Sequence, residues 1–216
     1  MKFIDITMSL NNDTPPWPGD EPFEYKLTWS MEDTGSVNVG QFKGSNHIGT
    51  HVDAPYHYDS AGLKIADLPV DRFSGRALVV SVKDDSVITK KLLEKLDLSE
   101  VSIVLFHTES WKDRKRFPDR YTVIGEDVGP FLKQKGIDLI GIDTPSVDPE
   151  TSKELKGHHT LYKNDILILE GIDLSQVSTG MYELFAFPLK MEQDDGSPVR
   201  AVLRTIDASQ DSSSPI

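Results

Sequence analysis

Gly125-Glu-Asp-Val-Gly-Pro-Phe-Leu-Lys-Gln-Lys135 runs directly into Gly136-Ile-Asp-Leu-Ile-Gly-Ile-Asp143, and this stretch decides the fold class. Val128, Phe131 and Leu132 form one apolar stripe at helical spacing. Gly136 supplies the left-handed residue that commonly ends a helix. An apolar run with β-branched members follows, which predicts a buried strand. A helix that leads straight into a buried strand implies some parallel pairing. Working outward, short β-rich runs recur at Phe3–Thr7, Phe23–Trp29, Val37–Phe42, Ala77–Val82, Val101–Phe106, Ile166–Leu169, Tyr182–Pro188 and Val199–Ile206. Helical signals are fewer. Thr89 precedes a segment with Leu92, Leu93 and Leu96 facing inward, with Ile88 placed to staple its entry, and a short turn near Glu150–Lys156 is expected to end at Gly157. The expected class is α/β: one domain over residues 1–207 with a mixed, β-rich core sheet and few helices. The Ser-rich segment 208–216 is expected to be a flexible tail.

Composition narrows the function. The chain has 216 residues, 35 acidic against 23 basic, for a formal charge of −12. Such a field repels phosphate backbones and anionic membranes, so neither nucleic acid nor membrane is an expected partner. There is no cysteine, which excludes disulfides, thiolate nucleophiles and Cys-ligated zinc; any metal must be held by His, Asp or Glu. Asp5 interrupts the only apolar stretch near the N-terminus, so no leader or span is read there, and a cytoplasmic location is the expectation.

The chemistry concentrates in His47-Ile-Gly-Thr-His51-Val-Asp53-Ala-Pro-Tyr-His57, which carries three of the six histidines and a carboxylate. Gly49, Thr50 and Pro55 argue against a regular helix. In extended backbone, alternate residues share a face, so His47, His51, Asp53 and His57 would all project into one pocket. Neutral imidazoles with a carboxylate suit Zn²⁺ or Mn²⁺. His158-His159 and Glu170, which closes the apolar run Ile-Leu-Ile-Leu, are a second group. If His158 and Glu170 meet the first cluster, five ligands serve two ions and leave His57 as a spare imidazole, suited to general acid and base work near neutrality. Trp17, in Trp17-Pro-Gly-Asp20, is a candidate wall for a planar ligand. Asp20 and Asp143 read first as turn formers, Lys112–Arg120 as a solvated loop, and His107 as a structural residue.

At these residues the sequence resembles the cyclase-like metal-dependent hydrolases, through their His-x-Gly-Thr-His-x-Asp-x-Pro-x-His signature. Within that family it is most similar to the bacterial kynurenine formamidase (arylformamidase) branch, from Phe3-Ile-Asp-Ile-Thr7 through Trp17-Pro-Gly-Asp20, Gly141-Ile-Asp-Thr-Pro-Ser-Val-Asp-Pro149 and Asp195-Gly-Ser-Pro-Val-Arg200 to about residue 206. One departure is Asn46-His47-Ile48, where small or hydroxyl residues are common in the family. The resemblance implies a swivelling β/β/α-like fold and a homodimer. It also implies two zinc ions per subunit and hydrolysis of N-formyl-L-kynurenine, an aryl formamide, to L-kynurenine and formate in tryptophan breakdown. It further implies that His47, His51 and Asp53 hold one zinc, that Asp53, His158 and Glu170 hold the other, that His57 carries the proton and that Trp17 contacts substrate. Two rivals stay open: a cyclic-amide hydrolase of the isatin type, with manganese, and a non-catalytic module that binds metal or ligand without turnover.

Overall fold

The computed structural model describes residues 1–83 and 86–206, so the expected tail at 208–216 lies outside the described residues. The main sheet has nine strands, in the order β1 (Phe3–Asp5), β13 (Val202–Thr205), β11 (Gly180–Phe185), β5 (Ser74–Ser81), β7 (Ile103–His107), β9 (Leu139–Ile142), β10 (Leu167–Glu170), β4 (His51–Asp53) and β12 (Gly196–Pro198). β5, β7, β9 and β10 run parallel, and the pairings outside them are antiparallel. β2 (Glu24–Trp29) and β3 (Val39–Lys43) form a separate antiparallel ribbon, and β6 (Val87–Ile88) pairs in parallel with β8 (Val123–Ile124). The α-helices are α1 (Met31–Thr34), α2 (Lys90–Leu93), α3 (Val128–Gln134) and α4 (Lys156–Lys163). The fold is therefore the expected mixed α/β domain with few helices.

Strand alternation divides the apolar residues between two cores. Ile103, Leu105, Leu139, Leu167 and Leu169 join Phe73, Leu184 and Leu203 on one face of the sheet. Val104, Phe106, Ile140, Ile142 and Ile168 join Leu93, Val128, Phe131, Leu132 and Leu161 on the other, where α2, α3 and α4 cover them. Because both faces are covered, the parallel strands read as near-continuous apolar runs. Each fully buried Leu, Ile or Phe contributes roughly 1.5–3 kcal/mol.

The helix and strand of residues 125–143 form as α3 and β9, and Gly136 takes φ +77°. Pro130 falls in the first turn of α3, where its missing N–H breaks no helical bond. α2 forms with Leu93 and Ile88 buried, but it stops at Leu93, and the Thr89 hydroxyl makes no capping bond. The turn of helix expected at Glu150–Lys156 is absent. The helix is α4, beginning at Lys156, where the sequence pattern places an end. Gly157 is there for closeness: a Cβ on it would lie 2.7 Å from the Val147 carbonyl oxygen. The N–H groups of Gly157 and His158 donate to the Asp148 carboxylate at 2.8 and 2.9 Å. Among the described residues no helix is long and apolar enough to cross a membrane.

Candidate metal centre

β4 lies between β10 and β12, and its register builds the site. His51 stands opposite Glu170, and Asp53 opposite Ile168 and Gly196. His51, Asp53 and Glu170 thus share one face, while Val52 points into the core. The extended reading of residues 47–57 holds only for His51–Asp53. His47 enters from a turn at residues 47–50, and His57 closes a 3₁₀ turn over Pro55–His57. In that first turn Gly49 takes φ +65° and packs on Gly171 at φ +64°, where a Cβ on Gly171 would lie 2.1 Å from the Gly49 oxygen. This close crossing of two backbones places His47 and His51 beside the end of β10.

The five expected ligands converge. His47 Nδ1 lies 3.0 Å and His51 Nε2 3.4 Å from Asp53 Oδ1. His158 Nε2 lies 3.4 Å from Asp53 Oδ2 and 3.7 Å from Glu170 Oε1, and His51 Nε2 is 3.4 Å from Glu170 Oε2. Two groups with metal-ligand spacing result, His47–His51–Asp53 and Asp53–His158–Glu170, joined by Asp53. The surroundings orient each group. His51 Nδ1 faces the Gly49 carbonyl at 3.1 Å and His158 Nδ1 faces Asp148 Oδ2 at 2.7 Å, so both rings turn Nε2 inward. Glu170 Oε1 accepts from the Val147 N–H at 2.8 Å. Of the His158-His159 pair, only His158 enters the site; His159 stands beside Tyr58 on the outer side.

The residues fit a divalent cation on two counts. Oδ2 of Asp53 is buried and accepts no hydrogen bond, an unmet lone pair in the middle of the cluster. Burial by itself would lower the histidine pKa values, but the carboxylates outweigh it. Asp195 and Asp53 raise His47 to about 9, Asp53 and Glu170 raise His51 to about 10, and Asp148 and Asp53 raise His158 to about 10. Burial would raise Asp53, yet the imidazoles of His158, His47 and His51 hold it well below the usual carboxylate range. A cluster that draws protons onto three imidazoles stabilises positive charge there, and a bound cation takes the place of those protons.

The cluster floors a cleft of about 280 Å³ whose lining includes Trp17, Asp20, His57, Pro145, Ser146 and Leu155. His57 lies over His47, ring centroids 3.9 Å apart. Trp17 is half-buried and meets Phe117 edge-on at 5.2 Å, so one residue of the basic loop folds inward. Arg114 of that loop also turns in, over the Trp111 ring and onto the Ile172 carbonyl at 3.1 Å. The solvated reading of Lys112–Arg120 is therefore incomplete. Asp143 is a buried acceptor for the Thr108 and Glu109 N–H groups at 3.0 Å, and His107 ends β7 outside the cleft. Two site carboxylates escape the sequence reading. Asp148 holds His158, and Asp195 bonds both His47 and His57. Asp148 sits in a stretch that reads as turn chemistry, and nothing local singles out Asp195 within Asp195-Gly-Ser-Pro-Val-Arg200.

A nine-stranded mixed sheet that brings three imidazoles and two carboxylates together at the end of a buried parallel strand defines an α/β protein with a candidate metal centre. Residues 4–149 match the family described as putative cyclase, and the chain belongs to that family. It is 49% identical over 205 residues to the kynurenine formamidase of Bacillus thuringiensis (strain Al Hakam), covering 95% of this chain and 98% of the relative. It is 46% identical to that of Geobacillus thermodenitrificans, covering 94% and 97%. Among solved structures it superposes on a potential metal-dependent hydrolase with cyclase activity, with TM-score 0.80, 27% identity and coverage of 94% and 96%. Isatin hydrolase A from Labrenzia aggregata gives TM-score 0.79 at 22% identity, covering 94% and 93%, a likeness of fold.

Proposed function

We propose that this chain is a cytoplasmic, homodimeric arylformamidase that hydrolyses N-formyl-L-kynurenine to L-kynurenine and formate, with two zinc ions per subunit. The observation that carries the reading is the pair of ligand groups sharing buried Asp53, beside an imidazole that belongs to neither of those two groups. Near-full-length similarity to Bacillus proteins named kynurenine formamidase supports the substrate. In this reading His47, His51 and Asp53 hold one ion, and Asp53, His158 and Glu170 the other.

When bound, the ions supply Lewis-acid polarisation of the formyl carbonyl and lower the pKa of water toward ~7. The residues do the rest. His57, at the cleft mouth, accepts the proton of the attacking water and returns it to the aniline nitrogen, which leaves poorly unless protonated. Trp17, braced edge-on by Phe117, packs against the aryl ring.

Dimerisation is supported by the β2–β3 ribbon, on which Tyr25, Leu27, Trp29 and Phe42 are exposed, Phe42 by 67%. A two-stranded ribbon is marginal alone in water, and an apolar patch of this kind marks an interface.

The test is hydrolysis of N-formyl-L-kynurenine by purified protein before and after chelation, then with zinc or manganese restored and isatin run in parallel. Chelator-sensitive turnover of the formamide is expected. Turnover of isatin alone would move the chain to cyclic-amide hydrolysis, and tight metal binding with no turnover of either would make it a binding module.

A further inference from the structure

His57 and His47 each turn a ring nitrogen toward one oxygen of Asp195. Nδ1 of His57 lies 3.2 Å and Nε2 of His47 3.0 Å from Oδ2. The other oxygen, Oδ1, accepts from the side-chain amide of Asn46 at 3.0 Å. The backbone beneath this carboxylate is held on both sides. The Asp195 carbonyl accepts from the Ala54 N–H at 2.9 Å, Gly196 pairs with Asp53, and a Cβ on Gly196 would lie 2.9 Å from His47 Cε1. Asp195 therefore has a fixed place above the metal cluster, with three donors arranged around it.

A carboxylate accepts hydrogen bonds and cannot donate them. The nitrogens facing Asp195 must then both carry a hydrogen. Neutral His57 keeps its lone pair on Nε2. His47 Nδ1 also faces a carboxylate, Asp53 Oδ1 at 3.0 Å, so its hydrogen there is the one a bound cation would replace, leaving the lone pair on Nδ1. We infer that Asp195 is a positioning residue that sets both tautomers at once, leaving Nε2 as the proton-accepting atom of His57 and Nδ1 as the ligand atom of His47. This inference rests on the reading of His57 as the proton carrier. The single carboxylate ties the metal cluster to the acid–base residue through hydrogen bonds on opposite ring nitrogens, so a change at one is felt at the other.

Asn46 makes the substitution Asp195→Asn informative. The Asn46 amide donates to the Oδ1 position, so the carbonyl oxygen of the substituted side chain stays there and its NH₂ turns to the histidines. His57 Nδ1 must then accept, and its hydrogen moves to Nε2, the wrong atom for a base.

The experiment is long-range ¹H–¹⁵N NMR of the zinc-loaded full chain with ¹⁵N-labelled histidine, combined with zinc analysis and steady-state kinetics on N-formyl-L-kynurenine. In the wild type, His57 is expected as the Nδ1–H tautomer. In Asp195→Asn it switches to Nε2–H, kcat falls about 10²-fold, KM stays within about threefold, and zinc is held about tenfold more weakly, because His47 Nε2 meets the same amide and its hydrogen is driven toward the ligand atom Nδ1. Asp195→Glu restores part of both the tautomer and kcat. Asn46→Ala, which leaves the carboxylate in place, keeps the Nδ1–H tautomer; Asp195→Ala, which removes the acceptor, releases His57 into both tautomers and serves if Asp195→Asn does not fold. The Nε2–H tautomer in the wild type, or an unchanged tautomer in Asp195→Asn, would overturn the inference. So would loss of a zinc ion with Asp195→Asn while His57 keeps Nδ1–H, because His47, His57 and Asp195 also have metal-ligand spacing and Asp195 would then be a ligand. A wild type inert toward the formamide defeats the functional reading alone, since the tautomers still decide the role of Asp195.

Discussion

β4 and the β2–β3 ribbon are both short β-structure, and they have opposite fates. All three residues of β4 are buried between neighbours on each side, and two of them are proposed metal ligands. The ribbon pairs only with itself, and the residues of both of its strands are exposed although several are aromatic. A strand fixed on both sides can hold ionisable groups at 3–4 Å spacing away from water, where their mutual attraction is strong. A strand without cover leaves its charged groups to water, and its exposed aromatic side chains are open to a second surface. The proposed chemistry falls to the first region and the proposed assembly to the second.

Breaking β4 chemically has the largest expected effect. Asp53→Ala removes the oxygen atoms common to both ligand groups, and kcat/KM is expected to fall by about 10⁴-fold or more, with loss of bound metal measured by elemental analysis. His57→Ala spares the ligands; kcat is expected to fall roughly 10³-fold with metal content intact. Retained turnover in this variant would remove His57 from the mechanism.

How far these regions were legible in the sequence follows from how local their causes are. α3 and β9 were legible because an apolar stripe, a left-handed Gly136 and a buried run act within nineteen residues of chain. The cluster of proposed ligands was legible because His47, His51 and Asp53 crowd one short segment. Parity explained His51 and Asp53, which lie on a strand, but not His47 and His57, which a turn and a 3₁₀ turn deliver to the same place. α4 was misplaced because the Asp148 carboxylate that caps its start lies nine residues upstream of Gly157, beyond any local capping signal. Asp195 is separated from His57 by 138 positions, and only the pairing of β12 with β4 gives it a role.

The ribbon sharpens the other half of the comparison. Leu27→Lys combined with Trp29→Ser is expected to weaken the proposed dimer by roughly 10²-fold, visible by light scattering, because buried aromatic anchors carry most interface energy. Metal content per chain should not change. A wild type that elutes as a monomer would remove the assembly role from the ribbon.

The smallest effect is on stability against pH. Folded His47, His51 and His158 have pKa values raised to about 9, 10 and 10, above ~6.5 for unfolded histidine. Their contribution to the metal-free protein is fully present below about pH 6.5 and is lost as pH rises through about 9–10. The metal-free melting temperature should therefore fall between pH 7 and 10, and fall less in the zinc-loaded protein, whose imidazoles are held by the ion. Equal slopes in the two forms would place the imidazoles outside the metal sites.

The central claim is that one buried carboxylate joins two metal sites, and calorimetric titration of zinc into the chelated protein tests it most directly. Two ions per chain in the wild type, with neither site tight in Asp53→Ala, is the predicted result. A single ion per chain, or a tight site that survives without Asp53, would contradict it.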